Sequence, residues 1–336
     1  MDAKYTIAVD GMGGDNAPYE IVLGAVNAVK ARNDIKVILT GDEPTLKKTL
    51  EDIGYTGDAI EIVHCTEVIE MAEHPVNAIK KKKDSSMVVG MTMLKEKKVD
   101  AFLSSGNSGA LLAGGLFVVG RIKGVERAPF APIFPTAKGR SLIVDSCANV
   151  DARASHLVQF AKMGTIYMRD VVGVKNPTVA IVNCGAEEEK GNSLVKETFP
   201  LLKECKDINF IGSVEARDIP DGYADIIVCD GFVGNAILKL YEGLAKTLVN
   251  LIKEGLKSTF VSKIGAALAL PALKKTLKVF DVAENGGAPL LGLQGVVVKT
   301  HGSAKHPEIE NAIYQCVSFN EEDICGKIAA NLVVDK

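Results

Sequence analysis

The sequence predicts an α/β fold built on a mostly parallel central sheet with flanking helices, and two patterns indicate this class. Short runs rich in Val and Ile alternate with longer segments of helical spacing along the whole chain. The short runs are almost continuously hydrophobic, which is typical of strands buried on both faces of a parallel sheet. Nine runs are predicted to be strands: 5–10, 36–40, 59–64, 100–104, 141–145, 179–183, 209–212, 226–229 and 296–299. The segments between them are expected to be helices that make right-handed crossovers.

One segment, from Gly231 to Asp281, contains no strand pattern and is predicted to be helical throughout, with a division at Pro271. Within residues 256–272 the apolar side chains fall on one arc of a helical wheel, and lysines flank the run. Two interpretations stay open. The segment is either an amphipathic pair that lies in a membrane interface, or a helix pair that packs against the core or a second subunit.

The composition limits both the domain organisation and the function class. With 47% hydrophobic residues, the 336-residue chain has enough apolar content for one large or two ordinary domains. Because no repeat, low-complexity tract or linker marks a boundary, we expect residues 1–336 to form one catalytic unit from which residues 240–280 project as an amphipathic helical segment. The net charge is only −3 and Trp is absent, so nucleic acid is not an expected partner.

The cysteines and the beginning of the sequence predict a cytoplasmic protein. The seven cysteines are odd in number and lack Cys-x-x-Cys or Cys/His ligand spacing, which favours a reducing compartment and no metal site. A strand pattern that begins near Tyr5 leaves no room for a signal peptide. Cys184 and Cys229 end apolar runs, where we expect buried thiols, and no Gly-x-Ser-x-Gly motif occurs, so covalent catalysis is disfavoured.

Glycine-rich loops follow several predicted strands, at 10–18, 104–110, 183–192 and 230–235. The carboxyl ends of parallel strands meet at the edge of a sheet where ligands bind, and glycines let backbone N–H groups approach an anion. The loops therefore predict a site for a small anionic ligand. The first loop has Asn16 where a dinucleotide fingerprint needs Gly or Ala, and no P-loop motif occurs, so NAD and ATP sites are disfavoured.

Three polar side chains in or near these loops are candidates for chemistry: Lys190, Asn235 and His301. Lys190 and Asn235 carry donors suited to phosphate and to an oxyanion, and His301 is suited to general acid or base catalysis. Each also has a structural alternative. Lys190 can pair with Glu187, Asn235 can cap a helix, and His301 can be a structural donor.

The same loops, taken in order, carry a resemblance to a known family. The segments involved are 9–15 with Pro18, 82–87, 106–110, 148–151, 187–191, 230–235, 286–292 and 301–303. They resemble the signatures of the PlsX family of bacterial phosphate acyltransferases over essentially the whole chain. The resemblance implies a fold similar to isocitrate and isopropylmalate dehydrogenases and to phosphotransacetylase, a homodimer, and no cofactor. It also implies peripheral association with the inner face of the cell membrane.

The reaction that the resemblance implies is the attack of inorganic phosphate on the thioester of acyl-acyl carrier protein. Its product, acyl phosphate, would enter phosphatidic acid and phospholipid synthesis through a downstream membrane acyltransferase. Three rival functions stay open: a phosphotransacetylase that uses acyl-CoA, a β-decarboxylating dehydrogenase, and a non-catalytic membrane scaffold or sensor. The dehydrogenase is the weakest, because no nicotinamide or metal motif is found.

Residue by residue, the resemblance places a catalytic lysine on Lys190 and an asparagine on Asn235, and we expect His301 to protonate the leaving sulfur. The residues expected to bind phosphate or substrate are Asp10, Gly13, Gly14, Asp15, Ser105, Asn107, Ser108, Gly109, Asn149, Asp151, Glu187, Asp230 and Gly234. The surface expected to bind the carrier protein or the membrane comprises Lys81, Lys82, Lys83, Phe260, Ile264, Leu268, Leu270, Lys274 and Lys275. Cys184 and Asn285 depart from the residues usual in the family.

Overall fold

The computed structural model describes residues 3–278 and 286–332, and for residues 274–278 it describes the backbone alone. The strands are β1 (Tyr5–Asp10), β2 (Ile35–Gly41), β3 (Ile60–His64), β4 (Ala101–Ser104), β5 (Ile133–Thr136), β6 (Gly139–Val144), β7 (Thr178–Asn183), β8 (Asn209–Glu215), β9 (Ile226–Val228), β10 (Ala288–Pro289) and β11 (Val296–Lys299). The helices are α1 (Tyr19–Ala31), α2 (Glu43–Ile53), α3 (Pro75–Lys81), α4 (Ser86–Lys95), α5 (Ser108–Gly114), α6 (Ala154–Ile166), α7 (Ser193–Glu204), α8 (Gly231–Lys257), α9 (Phe260–Lys278), α10 (His306–Glu321) and α11 (Ile324–Leu332).

The strands form two sheets, and both are mostly parallel. The first has the order β10-β11-β4-β1-β2-β3, with only β10 antiparallel to its neighbour. The second has the order β5-β6-β9-β7-β8, with only β5 antiparallel. The predicted fold class and all nine predicted strands are confirmed, with ends that differ by at most three residues.

The two strands that the sequence pattern did not predict, β5 and β10, are the antiparallel edge strands. They have four and two residues, and each contains a proline, Pro135 and Pro289. Proline has no N–H for a ladder hydrogen bond and is therefore found at sheet edges. Runs this short and interrupted carry no strand periodicity, which explains the omission.

The predicted division of the long helical segment at Pro271 is wrong. Pro271 lies inside α9, and the break between α8 and α9 falls at Ser258 and Thr259. The Ser258 hydroxyl donates to the carbonyl of Gly255 at 2.7 Å, and the Thr259 hydroxyl accepts the N–H of Ser262 at 3.0 Å. These hydroxyls satisfy backbone groups at the end of one helix and the start of the next. The end of the predicted segment, 279–281, lies outside the described residues.

The core covers both faces of the sheets, as the continuous hydrophobicity of the strands predicts. Ile7 and Val9 of β1 belong to one apolar cluster, and Ala8 between them belongs to another. The first cluster also contains Leu142 and Val144 of the second sheet, so a single core connects the two sheets. Because β11, β4 and β1 are neighbours, the loops that follow them meet at one carboxyl edge.

Candidate active site

A cleft of about 1300 Å³ lies where the carboxyl edges of both sheets face α8. Asp15, Ser108 and His301 reach it from the loops that follow β1, β4 and β11, and Cys147 reaches it from the loop after β6. Asn235 lines it from the second turn of α8. The structure thus brings together the predicted residues Asp15, Ser108, Asn235 and His301 around one cavity.

The loops of the first sheet form a tight hydrogen-bonded junction at one end of this cleft. The buried Asp10 carboxylate accepts the Ser104 hydroxyl at 2.7 Å and the N–H of Met12 at 3.2 Å. The N–H of Asp15 donates to the carbonyl of Gly302 at 2.7 Å. The hydroxyls of Ser105 and Thr300 lie 2.6 Å apart. These bonds fix the loop backbones in place before any ligand binds.

Glycines allow the close approach at this junction. A Cβ on Gly13 would lie 2.5 Å from Oδ2 of Asp10 and 2.9 Å from the N atom of Gly106. Gly14 has a φ of +99°, a left-handed conformation that other residues rarely adopt. The predicted role of these two glycines as direct phosphate ligands stays a prediction, and their steric role in joining the loops is a direct observation.

Several predicted ligands are held by structural hydrogen bonds. The Asn107 amide donates to the carbonyls of Glu70, Met71 and Glu73, and its oxygen caps α5 by accepting the N–H of Ala110. Gly109, in the first turn of that helix, leaves only 2.5 Å between a built Cβ and Cγ of Pro75. These two residues position the loop after β4, and Ser108 is the member of the group that lines the cleft.

A buried carboxylate that the sequence analysis missed, Asp145, organises the loop after β6. Its two oxygens accept the N–H groups of Phe130, Cys147, Ala148 and Asn149, and the Asn149 side chain as well. Desolvation raises the pKa of Asp145 above its usual range, and these donors oppose that shift. Its position at the end of an apolar strand is the same sequence signal that identified Asp10.

The loop after β6 supports the first turns of α8 and therefore the position of Asn235. The carbonyl of Asn149 accepts the N–H of Gly231 at 2.8 Å. Asp230 caps the helix by accepting the N–H groups of Phe232 and Val233, both at 2.9 Å. At Gly234 a Cβ would lie 1.9 Å from the carbonyl oxygen of Asp145, so only glycine permits this contact. Asn149, Asp230 and Gly234 position α8, and Asp151 is exposed outside the cleft.

His301 is a neutral imidazole at pH 7 in this arrangement. Desolvation, with the charge of Lys239 as the next cause, lowers its pKa below the usual 6.5. Nδ1 lies 3.2 Å from the backbone N atom of Ser303 and 2.7 Å from its hydroxyl oxygen, and the tautomer with the proton on Nε2 lets Nδ1 accept from both groups. A neutral imidazole with an Nε2–H can donate a hydrogen bond to a developing negative charge.

Lys190 lies away from the cleft. Its ammonium pairs with the Glu187 carboxylate at 2.8 Å, and both side chains are about half exposed. The hydrogen bond to Glu187 raises the pKa of Lys190 above its usual range. A second cavity of about 330 Å³ adjoins this loop and is lined by Asn183, Gly191 and Asn192, among others. The structural alternative for Lys190, the pair with Glu187, is the arrangement that the structure contains.

The cysteine predictions are confirmed in one case and wrong in the other. Cys229 is buried, and desolvation raises the pKa of its thiol well above the usual value. Cys184 is exposed, as are residues 186–190 of the loop that follows β7. Cys147, which faces the cleft, has a pKa raised to about 11 by desolvation and by the charge of Asp145, so its thiol is a weak nucleophile at neutral pH.

The structure adds two groups to the cleft that the sequence analysis missed. One is an apolar wall formed by Phe130 and residues 132–135 together with Tyr241, Ala245 and Val249 of α8, a helix that also lines the cleft with Lys239, Glu242, Lys246, Asn250 and Lys253. The Tyr241 hydroxyl donates to the carbonyl of Pro135 at 2.7 Å and holds α8 against β5. The other is Lys299, a buried lysine at the end of the run Val296–Lys299. A lysine that ends a buried apolar strand was the available sequence signal.

The predicted docking lysines differ in their freedom. Lys81 and Lys83 are exposed, and Lys83 donates to the carbonyl of Ile79 at 3.1 Å. Lys82 is less exposed, pairs with Glu73 and donates to the carbonyl of Val68. On α9, the predicted apolar residues Phe260, Ile264, Leu268 and Leu270 are all exposed. The side chains of Lys274 and Lys275 lie outside the described part of the structure.

Comparison with known proteins gives the family. A model of the family described as "Fatty acid synthesis protein" matches residues 5–327. A phosphate acyltransferase of Alkaliphilus oremlandii is 53% identical over 324 residues, which cover 96% of each chain. The chain belongs to the PlsX family of phosphate acyltransferases. A second family member, a phosphate acyltransferase of Clostridium tetani, is 47% identical over 97% of this chain and 98% of its own. Membership makes this chain an acyltransferase whose reaction uses phosphate.

Solved structures confirm the predicted likeness of the fold to phosphotransacetylase. EutD phosphotransacetylase from Staphylococcus aureus superposes with a TM-score of 0.60 at 16% identity and covers 94% of both chains. A phosphotransacetylase from Streptococcus pyogenes gives a TM-score of 0.61 at 16% identity, again over 94% of both. At 16% identity this likeness shows the fold of the PlsX-family chain and does not identify its substrates.

Two further observations concern metals and membranes. In residues 3–278 and 286–332, no group of three or more His, Cys, Asp or Glu side chains has the geometry to hold a metal ion. Among the helices that the structure describes, none is long and apolar enough to cross a membrane.

Proposed function

We propose that this PlsX-family protein transfers a fatty acyl group from acyl-acyl carrier protein to inorganic phosphate, which gives acyl phosphate for phosphatidic acid and phospholipid synthesis. The observation that carries the proposal is the two-part character of the cleft. One end is a polar junction of glycine loops with Asn235 and His301, and the other is the apolar wall of Phe130, residues 132–135 and α8. A polar end suits phosphate, and a long apolar wall suits an acyl chain and offers little to an acetyl group.

In the proposed reaction a phosphate oxygen attacks the thioester carbonyl carbon directly. A tetrahedral oxyanion forms, the C–S bond then breaks, and the sulfur leaves as a thiolate that takes up the proton released by the attacking hydrogenphosphate. Phosphate is a nucleophile and a thiolate is a good leaving group, so the protein mainly has to position the reactants and stabilise the oxyanion. No enzyme nucleophile is needed, which agrees with the raised pKa of Cys147.

Three side chains have roles in this proposal. The Asn235 amide donates to the phosphate or to the oxyanion from the second turn of α8. The Nε2–H of neutral His301 donates to the leaving sulfur. Lys190 approaches from the loop after β7 when the donor binds, because its pair with Glu187 is exposed and easily exchanged.

A hydroxylamine trap tests the function, since hydroxylamine converts acyl phosphate into a stable acyl hydroxamate. We expect phosphate-dependent hydroxamate from a long-chain acyl-acyl carrier protein and none from acetyl-CoA. Product from acetyl-CoA alone would make the protein a phosphotransacetylase. Saturable binding of the acylated carrier without any hydroxamate would make it a sensor or scaffold on this fold.

The proposed partners follow from the surface. The carrier protein, which the family leads us to expect to be acidic, would meet the exposed Lys81 and Lys83, and the membrane would meet the apolar face of α9. Leu240, Leu244, Leu248 and Leu251 form a second exposed stripe along α8, which suits a homodimer. The product is a reactive anhydride, so a membrane acyltransferase that consumes it at the inner face of the cell membrane is the expected downstream partner.

A further inference from the structure

Lys299 occupies an unusual place for a lysine. It is the last residue of β11, in register with Ser104 of β4, and strand alternation puts its side chain on the same face as the core residue Val297. Only 9% of its surface is exposed, and the exposed part lines the cleft. Lysines are rarely buried to this extent without a charged or functional reason.

The ammonium of Lys299 is held between two of the glycine loops. It donates to the carbonyl of Ser105 at 3.2 Å and to the carbonyl of Thr300. An ammonium group has three N–H donors, and carbonyl acceptors do not neutralise its charge. The geometry therefore fixes a cation at the polar end of the cleft, beside the loops that carry Ser108 and His301.

The charged and titratable groups around Lys299 come from four elements. Among these charges, Glu308 of α10 has the largest effect in favour of the cation, followed by Cys147 after β6 and Asp10 of β1, and Lys239 of α8 opposes it. Glu308 also accepts the N–H of His301 at 2.7 Å. Burial outweighs these charges and lowers the pKa of Lys299 to about 8, so the side chain is mostly cationic at pH 7.

We propose that Lys299 is the fixed cation that binds the phosphate in this cleft, an inference that rests on the proposed function for the identity of the anion. Three observations carry it: the burial of the ammonium, its attachment to the backbone of two loops, and its access to the cleft. A dianion placed there would compensate a charge that burial makes costly, which a surface lysine such as Lys190 does not need.

The test measures phosphate binding without any acyl donor. The melting temperature of the full-length protein is followed against the concentration of inorganic phosphate, because a ligand of the folded state raises it by mass action. The variants are Lys299→Met, Lys299→Arg, and Lys36→Met as a control. Lys36 lies near the amino end of β2, away from the carboxyl edge of the same sheet, and pairs with Glu61 at 2.6 Å.

At pH 7.5 we expect Lys299→Met to need about 10- to 100-fold more phosphate for the same rise in melting temperature, and Lys36→Met to match the wild type. Raising the pH to 9.5 should weaken the wild-type response, because Lys299 then loses its proton. Lys299→Arg should keep its response at both pH values, since a guanidinium stays charged. This pH arm needs no destabilised variant.

An unchanged phosphate response in Lys299→Met would overturn the assignment of Lys299, and so would a wild-type response that is the same at pH 7.5 and pH 9.5. A wild-type protein that phosphate stabilises no more than a matched chloride concentration would do so as well. The hydroxylamine trap is separate. If phosphate binds through Lys299 and no acyl hydroxamate forms, the proposed reaction fails and the anion site remains.

Discussion

Lys299 and Lys190 both follow the carboxyl end of a parallel strand or terminate it, yet their surroundings differ. Lys299 is buried in a junction of three loops. Lys190 sits on an exposed loop that carries surface ion pairs, Lys190 with Glu187 and Glu188 with Lys203, and that the buried Asn183 amide contacts at the carbonyls of Glu187 and Lys190. Burial lowers the pKa of Lys299, and the Glu187 hydrogen bond raises that of Lys190. The contrast suggests a division of work between a fixed cation that binds phosphate and a movable cation that stabilises the transition state.

The largest expected effect comes from Lys190→Ala. If Lys190 acts only when the donor is bound, this variant should lose acyl phosphate formation by at least about 100-fold in kcat. The phosphate concentration needed for thermal stabilisation should not change, because Lys190 does not line the cleft. The measurements are the hydroxamate assay and the phosphate melting series on the same preparation.

Lys203→Ala is the matched control for Lys190→Ala. Lys203 pairs with Glu188 of the same loop at 2.7 Å and is exposed, so its loss removes a surface cation of similar exposure. We expect normal turnover. Wild-type turnover in Lys190→Ala would refute the catalytic role that the family resemblance implies.

The next effect tests whether the two loops differ in rigidity. A Cβ at Gly13 meets the buried Asp10 carboxylate and the backbone of Gly106, whereas at Gly185 it meets the flexible side chains of Lys190 and Glu187, at 2.5 and 2.8 Å. We expect Gly13→Ala to lower the free energy of unfolding by about 2–3 kcal/mol. Gly185→Ala should change it by less than about 0.5 kcal/mol, because side-chain ends move aside.

Urea unfolding of both glycine variants gives the comparison directly. Phosphate should stabilise Gly185→Ala as it does the wild type and Gly13→Ala less. Equal loss of stability in the two variants would mean that the loop after β7 is as tightly packed as the first-sheet junction.

The sequence pattern predicted most strands and the glycine loops of the cleft. Val- and Ile-rich runs predicted nine strands, because burial on both faces leaves a continuous apolar signal. Glycines at 13, 106 and 234 predicted loops that the structure brings to the cleft. The edge strands β5 and β10 were missed because both are short and contain a proline, whereas the longer edge strands β3 and β8 were predicted.

For the site, sequence motifs identified residue types and tertiary contacts decided their roles. Asn107 and Asn149 were predicted to bind substrate. In the structure the amide of Asn107 donates to backbone carbonyls, and that of Asn149 donates to a backbone carbonyl and to the Asp145 carboxylate. From the sequence, Lys299 was predicted only as the last residue of a strand. The groups around it come from α10, β1 and the loops after β4 and β6, which are far apart in the sequence. Such convergence is a property of the fold, and spacing along the chain does not contain it.

A smaller effect is expected from His301→Ala. This variant removes a neutral hydrogen-bond donor at the first-sheet junction and keeps the cation Lys299. Loss of the Nε2–H donor should lower kcat by about 10-fold, with little change in phosphate binding. Wild-type activity relative to the variant should be constant near pH 8 and should fall below pH 6.5. The lowered pKa keeps His301 neutral at pH 7, and protonation at lower pH would remove the acceptor of the Ser303 N–H.

The rate ratio of wild type to His301→Ala cancels the titration of phosphate itself, which affects both proteins. A ratio that stays constant from pH 5.5 to pH 8 would show that the imidazole does not act in the rate-limiting step. A ratio that rises toward low pH would identify the imidazolium as the active form and contradict the neutral donor.

The smallest effect on turnover is expected from a substitution on α9. Unlike the buried first-sheet junction, this helix has an exposed apolar face. Leu268 is 81% exposed, and the same helix carries Lys263, a cation suited to anionic lipid. Leu268→Asp should lower binding to vesicles of phosphatidylglycerol and phosphatidylethanolamine by about 10-fold, because it removes apolar burial and adds a charge of the lipid's own sign. Soluble turnover should stay at the wild-type value.

Leu201→Asp, at a leucine of α7 that is 43% exposed, is the control and should bind vesicles normally. Unchanged vesicle binding by Leu268→Asp, with a change in oligomeric state, would assign the α9 face to packing between subunits.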